Sequence, residues 1–340
     1  MTEPVVPKKR ITLADVAARA GVSQMTASKV LRGTGSISEE TRKRVKRVAS
    51  DLGYVPNLFA GSLSSRSSNI VAVVLPSIND AVFGEVVAGI NDVLRPEGYV
   101  TFIGESHLNP ETEEKIIQTV LSLQPAGIIL TGGIHRTAKA DQMLKSWECP
   151  IIQIWDEEDE HYDGCIAPNH AKAGRLIAQH FIDQGIERPA YIGAELKKDI
   201  CAARRFETFK QTITEAGLNL VELIDQELPR QPQTGRTLVA ELMQRHADTD
   251  AIYFLNDAMA TGGLSWLYEA SYSVPEQVAV AGFNGTSLAH TVRTRLTTVH
   301  IERLDLGQVA ARALLEAIDT RSARKMRKIF YVELSRGNTS

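Results

Sequence analysis

TLADVAARAGVSQMTASKVL, residues 12–31, is the stretch from which the rest of the chain can be read. Thr12 can cap a helix, and Asp15, three places on, suits the first turn in a near capping box. Leu13, Val16, Ala17 and Ala20 recur at helical spacing and give one apolar, closely packable face. Gly21 and Val22 interrupt the pattern, because glycine tolerates the positive φ that a tight turn between helices needs. Ser23 then caps a second short helix, with Val30 and Leu31 facing inward and Gln24, Met25, Ser28 and Lys29 on its other side. Two short helices joined through a glycine turn predict a helix-turn-helix, whose second helix presents its polar face to a DNA major groove.

The flanking sequence agrees. Ser38 opens a third helix with Glu39 and Glu40 in its first turn and Gly53 just past its end. Val45, Val48, Ala49 and Leu52 form its buried stripe, while Arg42, Lys43, Arg44, Lys46 and Arg47 fall mostly on the solvent side. Those charges either stay solvated or touch phosphates, which adds affinity without sequence information. Residues 1–68 hold 12 Lys and Arg against 5 Asp and Glu; the remainder holds 26 against 36. A basic head on an acidic body suits a protein that lays one end on a polyanion. Three cysteines without C-x-x-C spacing indicate neither a disulfide framework nor a zinc site. No apolar leader opens the chain and no run reaches the ~18 residues of a membrane span. The expectation is a cytoplasmic protein with no membrane attachment.

After the third helix comes YVPNLFAGSLSSRSSN, residues 54–69. Asn57 can cap a helix of about two turns ending near Leu63, too short to stand alone in water and further weakened by Gly61. This segment is either a flexible linker or a helix that forms only when held. From Asn69 onward, short apolar runs alternate with amphipathic helical patterns in two series, the second starting near Asn169. That alternation predicts an α/β body of parallel sheets covered on both faces, in two lobes. Ligands of such sheets sit beyond the carboxyl ends of the strands. Those ends offer Ser77, Asn79 and Phe83, then Thr131, Trp155 and Asp156. The second series adds Arg205 at a helix start, Asn256 and Asp257, Asn284, and Arg303 after the return of the chain.

VAARAGVS, the basic third helix, LGYVPN and a short leucine-bearing hinge, in this order, resemble the LacI family of bacterial repressors, and the likeness covers essentially the whole chain. The resemblance implies a body with the fold of periplasmic sugar-binding proteins, its chain crossing between lobes near 168, 297 and 325. The implied domains are a helix-turn-helix head (1–56), a hinge (57–68), a first lobe (69–168 with 298–324) and a second lobe (169–297 with 325–340). The implied partners are double-stranded operator DNA, a second copy of the chain and a small effector. Base-reading positions fall on Gln24, Met25 and Lys29, with Thr26 and Ser28 near the backbone. Asn57 opens the hinge helix, and Leu63 matches the leucine that wedges between base steps in the minor groove. Lys29 stands where many members have arginine, which loses the bidentate fork and leaves the preferred base open.

Within the body, Arg205 and Asn256 match effector-contacting positions, and Phe83 matches an aromatic that stacks on a sugar face. Members that bind neutral sugars usually carry aspartate where GFNG (282–285) supplies Asn284. Loss of that charge, with Arg205 kept and Arg303 added, favours an anionic effector. The helix start at Asn169-His170 offers further N–H donors. With VFGEVVAGI (82–90), this is similar to the gluconate and ketogluconate repressors of the family, so a sugar acid is expected, gluconate or 2-ketogluconate ahead. A neutral sugar or a corepressor remains the alternative. No phosphate loop, nucleophile elbow or paired metal ligands are visible. WDEEDE (155–160) reads as an acidic loop, and His135 and His161 as surface or capping residues. The expectation is a non-enzyme without cofactor or metal; a transporter's solute-binding protein or a sugar-acid enzyme would need features this chain lacks.

Overall fold

A computed structural model of the chain describes residues 11–55, 68–158, 162–287, 294–320 and 326–340. Asn57, Leu63 and the expected hinge helix lie outside the described residues, as does His161. The chain divides into two compact units, residues 1–68 and 69–340.

Among the described residues of the first unit are three helices, α1 (Leu13–Ala20), α2 (Gln24–Leu31) and α3 (Glu39–Asp51). Thr12 and Asp15 complete a full capping box: the Thr12 N–H donates to Asp15 Oδ2 at 2.8 Å, and the Asp15 N–H to Thr12 Oγ1 at 3.3 Å. Ser23 and Ser38 cap α2 and α3 in the same way, each accepting from the N–H three residues on. Gly21 ends α1 at φ 64°, the left-handed conformation the turn requires. Val16, Ala17, Ala20, Ala27, Val30, Val45 and Ala49 are buried together, and the four alanines let the helices approach closely. So small a core leaves the unit dependent on its caps, each contributing about 1 kcal/mol.

The second unit carries two six-stranded sheets. The first contains β1 (Ile70–Leu75), β2 (Val100–Glu105), β3 (Gly127–Thr131), β4 (Ile151–Ile154), β5 (Gly164–Pro168) and β11 (Met326–Phe330). Its order is β11-β5-β4-β3-β1-β2, parallel throughout. The second contains β6 (Pro189–Ala194), β7 (Val221–Asp225), β8 (Ala251–Phe254), β9 (Ala279–Asn284), β10 (Thr297–His300) and β12 (Glu333–Ser335). Its order is β12-β10-β9-β8-β6-β7, antiparallel only between β10 and β12. Helices α4 (Ala81–Leu94), α5 (Pro110–Ser122), α6 (Ala138–Ser146) and α11 (Arg303–Thr320) cover the first sheet. Helices α7 (His170–Asp183), α8 (Ile200–Glu215), α9 (Pro232–Arg245) and α10 (Asp257–Glu269) cover the second. Alternation along β1 serves both faces: Val71, Val73 and Leu75 join one core, Ala72 and Val74 another with Ile117, Val120 and Leu144.

The lobes trade strands differently from the expectation. The first crossing falls at 168–170, between β5 and α7. The second falls after β10, because Thr297–His300 pair in register with Ala281–Asn284 of the second lobe. The third falls between β11 and β12, since Met326–Phe330 pair with Gly164–Pro168 of the first lobe. The first lobe therefore holds 303–320 and 326–330 where 298–324 was expected, and the second holds residues to 300 and from 333. The apolar stretch KIFYVEL (328–334) is shared between two strands in different sheets, β11 and β12. GCIAP and VELID form β5 and β7 with weak strand patterns: the first is short and ends in proline, the second is a half-exposed edge.

On α8, Phe206 and Phe209 pack against Tyr191 of β6 (ring centroids 4.4 and 6.2 Å), and Phe209 also against Tyr253 of β8 (4.8 Å). Burial of each such phenyl ring contributes about 2–3 kcal/mol. This clamp fixes α8 on its sheet and, with it, the residue before Phe206.

Candidate functional site

The head presents one polar face. Ala27 and Val30 bury the inner side of α2, whereas Gln24, Met25 and Lys29 are exposed, Met25 to 68%. Thr26 and Ser28 are half-buried, and the Thr26 N–H donates to Ser23 Oγ at 3.1 Å. Of the basic side chains on α3, Arg42 is half-buried and donates to the Gly35 carbonyl at 3.3 Å. Lys43, Arg44, Lys46 and Arg47 are exposed.

The body encloses a cavity of about 390 Å³ at the carboxyl ends of the strands of both lobes. Eight of the nine expected effector residues line it: Asn79, Phe83, Thr131, Trp155, Arg205, Asn256, Asp257 and Asn284. Phe83 and Trp155 form an apolar wall, ring centroids 5.5 Å apart. Thr131 is buried and its hydroxyl donates to the Val74 carbonyl at 3.3 Å. Asn79 is exposed at the rim.

Arg303, the ninth, does not line the cavity. Its guanidinium lies behind Asn284, pairing with Glu85 at 3.0 Å and donating to the carbonyls of Asn284, Gly285 (3.0 Å) and Ile301 (3.1 Å). Its charge is spent inside the protein, so it is not the second cation for a ligand that the sequence implied. The expected donors at Asn169-His170 also miss the cavity: Asn169 Oδ1 accepts from the Lys172 N–H at 2.7 Å and the His170 ring is fully buried behind the lining. Arg205 sits on the second turn of α8 rather than at its start. Asp156 pairs with Arg204 at 2.9 Å, as does Glu158 at 2.7 Å, so the acidic loop holds a cation of the facing lobe. His135 is exposed outside the lining.

Two residues contribute differently from what residue type alone implies. Asn256 caps α10, its Oδ1 accepting from the Met259 N–H at 2.9 Å, so mainly its amide nitrogen is left for a ligand. Asp257 accepts from the Thr298 hydroxyl (2.6 Å) and from the Thr286 N–H (2.7 Å) and hydroxyl (3.0 Å). It braces the loop after β9, and burial raises its pKa to about 6. Asn284 has φ 113°, a strained value for a side chain other than glycine, and its Oδ1 is buried without a hydrogen-bond partner.

Sequence reading missed an ionic cluster on the second-lobe wall, beside Asn256, whose amide nitrogen donates to the Arg230 carbonyl at 3.5 Å. Arg230 bridges Asp199 and Glu195, and its Nη2 donates to the Glu195 carbonyl at 3.1 Å. Burial opposes the Asp199 charge, but the Arg230 guanidinium prevails and holds its pKa below the usual value. Asp80 caps α4 through the Val82 N–H at 3.0 Å, and burial raises its pKa. Asp80 and Asp199 could have been found as helix caps; Arg230, between prolines in a loop, carried no signal.

Arg205 differs from Arg230. It is 4% exposed, and among the described residues no carboxylate comes within ion-pair distance. Its Nη1 donates to His170 Nδ1 at 3.1 Å, its Nη2 to the Leu255 carbonyl at 3.1 Å, and its Cζ lies 3.5 Å from the Phe283 ring centre. His170 Nε2 is 2.9 Å from the Trp155 carbonyl, which makes Nε2 the protonated nitrogen and leaves Nδ1 to accept. Burial, with the Arg205 charge next, pushes the His170 pKa down to about 3. The unfolded ring titrates near 6.5, so this group's contribution is complete above that value and is lost as pH falls toward 3, by up to ~1.4 kcal/mol per pH unit. Against His170→Asn, which cannot titrate, wild type should lose relative stability from pH 6.5 downward in denaturant titrations. Asp257, whose raised pKa makes stability fall as pH rises from about 4 to 6, is common to both proteins and cancels. A pH-independent difference would contradict a neutral buried ring.

A helical reading head joined to a two-lobed body with a cavity at its strand ends defines a ligand-binding DNA-binding regulator. The chain belongs to the LacI family of bacterial regulatory proteins: that family's model matches residues 12–57, and a periplasmic binding protein-like domain model matches 178–340. It is 36% identical over 316 residues to the HTH-type transcriptional regulator GntR of Pseudomonas aeruginosa, covering 93% of this chain and 91% of that one. A crystal structure of a LacI-family transcriptional regulator from Silicibacter pomeroyi superposes with a TM-score of 0.89 at 34% identity, covering 97% of this chain and 99% of that one. The Lac repressor dimer bound to operator and the anti-inducer ONPF shares the fold, with a TM-score of 0.77 at 21% identity over 97% of this chain and 99% of that one. Among the described residues no helix is long and apolar enough to cross a membrane.

Proposed function

We propose that this regulator is a homodimeric repressor whose operator affinity is set by a small sugar acid, gluconate or 2-ketogluconate. The observation that carries the effector class is Arg205, a buried guanidinium in the cavity wall with only neutral partners. Burying a charge without a directly paired carboxylate is costly, Asp199 acting on it only from beyond ion-pair distance, and a ligand carboxylate supplies that pairing with bidentate geometry. The unpartnered Asn284 Oδ1 is an acceptor for a ligand hydroxyl, and the Phe83–Trp155 wall suits the C–H face of a carbon chain. The relative named GntR agrees with this reading. On the head, Gln24, Met25 and Lys29 read bases, the exposed Met25 meeting a thymine methyl, with Thr26 and Ser28 near the backbone. Leu63 is the residue proposed to wedge between base steps, and Asn57, at the start of the same segment, is a further DNA-contacting position. The exposed apolar Val100, Phe102 and Ile103 on edge strand β2, beside Ile78, support pairing of two copies through the first lobe.

Four acidic side chains in the same cavity, Asp80, Glu195, Asp199 and Asp257, favour the competing reading of a neutral, hydroxyl-rich ligand. Titration calorimetry with gluconate, 2-ketogluconate, glucose and glucitol separates the two. Sugar-acid binding is expected, and binding of the neutral compounds alone overturns the proposal. An operator recovered by selection from random duplexes, footprinted with and without the acid, gives the sign. Coupling of 1–3 kcal/mol predicts a roughly 5–150-fold loss of operator affinity for an inducer. A gain of that size would make the acid a corepressor, and no change would remove the coupling.

A further inference from the structure

We propose that His170 is the positioning residue of the cavity: through Nε2–H on the Trp155 carbonyl and Nδ1 as a fixed acceptor, it sets the Arg205 guanidinium in the wall. Without touching the ligand, it thereby sets the preference for an acid over a neutral polyol. The second half of this inference rests on the proposed sugar-acid effector; the first half does not.

The ring has no exposed surface, and each nitrogen has one partner, 2.9 Å away on the Trp155 side and 3.1 Å on the Arg205 side. Both partners are functional parts of the cavity lining, whereas His170 is not in it. The ring also packs edge-on against Trp155 (centroids 5.6 Å) and beside Phe283 (5.9 Å), the same ring that lies under the guanidinium. Trp155 has φ 79°, so its carbonyl is presented from a backbone conformation that a tryptophan adopts only when held. Trp155 directly follows β4 in the first lobe, and His170 opens α7 in the second. One ring therefore ties the orientation of the cavity's unpaired cation to the backbone of the facing lobe.

A structural histidine filling space would be replaceable by any residue of similar bulk. A positioning histidine is replaceable only on the nitrogen that matters. Asparagine places Oδ1 where the ring has Nδ1, and so keeps an acceptor for Arg205 while losing the Trp155 link. Glutamine places Nε2 where the ring has its own Nε2, and keeps the Trp155 link while losing the aligned acceptor.

The test compares wild type, His170→Asn and His170→Gln in the full chain, with thermal melts to confirm folding. Calorimetry uses gluconate and its neutral reduced counterpart glucitol. For gluconate, His170→Gln is expected to lose tenfold or more, with His170→Asn recovering to within about threefold of wild type. Glucitol affinity should shift little in either variant, so the acid-over-neutral ratio collapses only in His170→Gln. Equal losses for both ligands in both variants would make the ring a spacer and overturn the proposal. Ring ¹⁵N spectra of the ligand-free protein give an independent readout. A proton on Nε2 and none on Nδ1, unchanged from pH 8 to 5, is expected; an Nδ1–H tautomer or a ring titrating in that range overturns the hold on Arg205. If wild type binds glucitol and not gluconate, the effector reading fails, and the ring spectra still decide whether His170 holds the guanidinium.

Discussion

Arg205→Met is expected to abolish the response to sugar acids while leaving the stability of the ligand-free fold within about 1.5 kcal/mol of wild type. The two halves have different causes. In the free protein the guanidinium is buried without a carboxylate, and its partners are a neutral imidazole nitrogen, a carbonyl and an aromatic face. Removing a buried charge from water costs several kcal/mol, which two neutral hydrogen bonds and a cation–π contact of about 1–2 kcal/mol only partly offset. Methionine recovers that cost and lays a polarisable sulfur near Phe283, but it leaves His170 Nδ1 and the Leu255 carbonyl without donors at about 1–3 kcal/mol each. These terms are of similar size and opposite sign. With the acid bound, nothing offsets the loss: truncating one side of a desolvated charge pair costs about 2–5 kcal/mol, or roughly 30- to 5,000-fold in affinity. Thermal melts read both halves. Wild type with gluconate at a hundred times its Kd should gain about 2.7 kcal/mol, and the variant at the same concentration about 0.9 kcal/mol or less. A variant that gluconate stabilises as much as wild type would remove Arg205 from the binding site.

Residue type and spacing made the head legible almost completely, because its information is local. Thr12, Asp15, Ser23 and Ser38 act within one turn of where they stand, and the apolar stripe of α1 needs no distant partner to be recognised. The body was legible in kind but not in connection. β10 and β11 each have one more apolar strand pattern than their neighbours explain, yet nothing in TTVH or MRKIF says which sheet it joins; register with β9 and β5 decides that. The site was partly visible for the same reason. Strand ends pointed to the residues that line the cavity, since ligands of parallel sheets collect there. What each one has left to offer was not visible: Arg303 and Arg205 are the same residue type at two lobe-facing positions, and the Glu85 carboxylate makes the first a structural clamp while the second lines the cavity without an ion-pair partner among the described residues. Charge counts along a chain cannot report pairing.

Pairing in turn depends on how closely α7 and α8 approach, and Gly174 sets that distance. A Cβ at this position would stand 2.2 Å from the Arg205 carbonyl oxygen and 3.0 Å from the Phe209 nitrogen. Both obstacles are backbone, so no rotamer relieves them and the helices must part. Overpacking of this kind costs about 1–3 kcal/mol. The displacement also has a functional direction, because the residue pushed away is Arg205 itself, while His170 lies one turn before Gly174 on the same face of α7. The 3.1 Å bond between ring and guanidinium then lengthens beyond useful range. Gly174→Ala is therefore expected to lower stability by about 2 kcal/mol and gluconate affinity about tenfold at temperatures where the protein stays folded. Gly127→Ala is the matched control: its Cβ would meet the Leu314 side chain at 2.6 Å, at the start of β3, about 13 Å along the strand from Thr131. There the obstacle is the end of a flexible side chain, so the stability loss should be smaller and affinity unchanged. If Gly174→Ala destabilises the body yet binds gluconate as wild type does, the guanidinium is placed by something other than the α7–α8 contact. In that case the Leu255 carbonyl and the Phe283 ring, both fixed by the second sheet, would be what holds it.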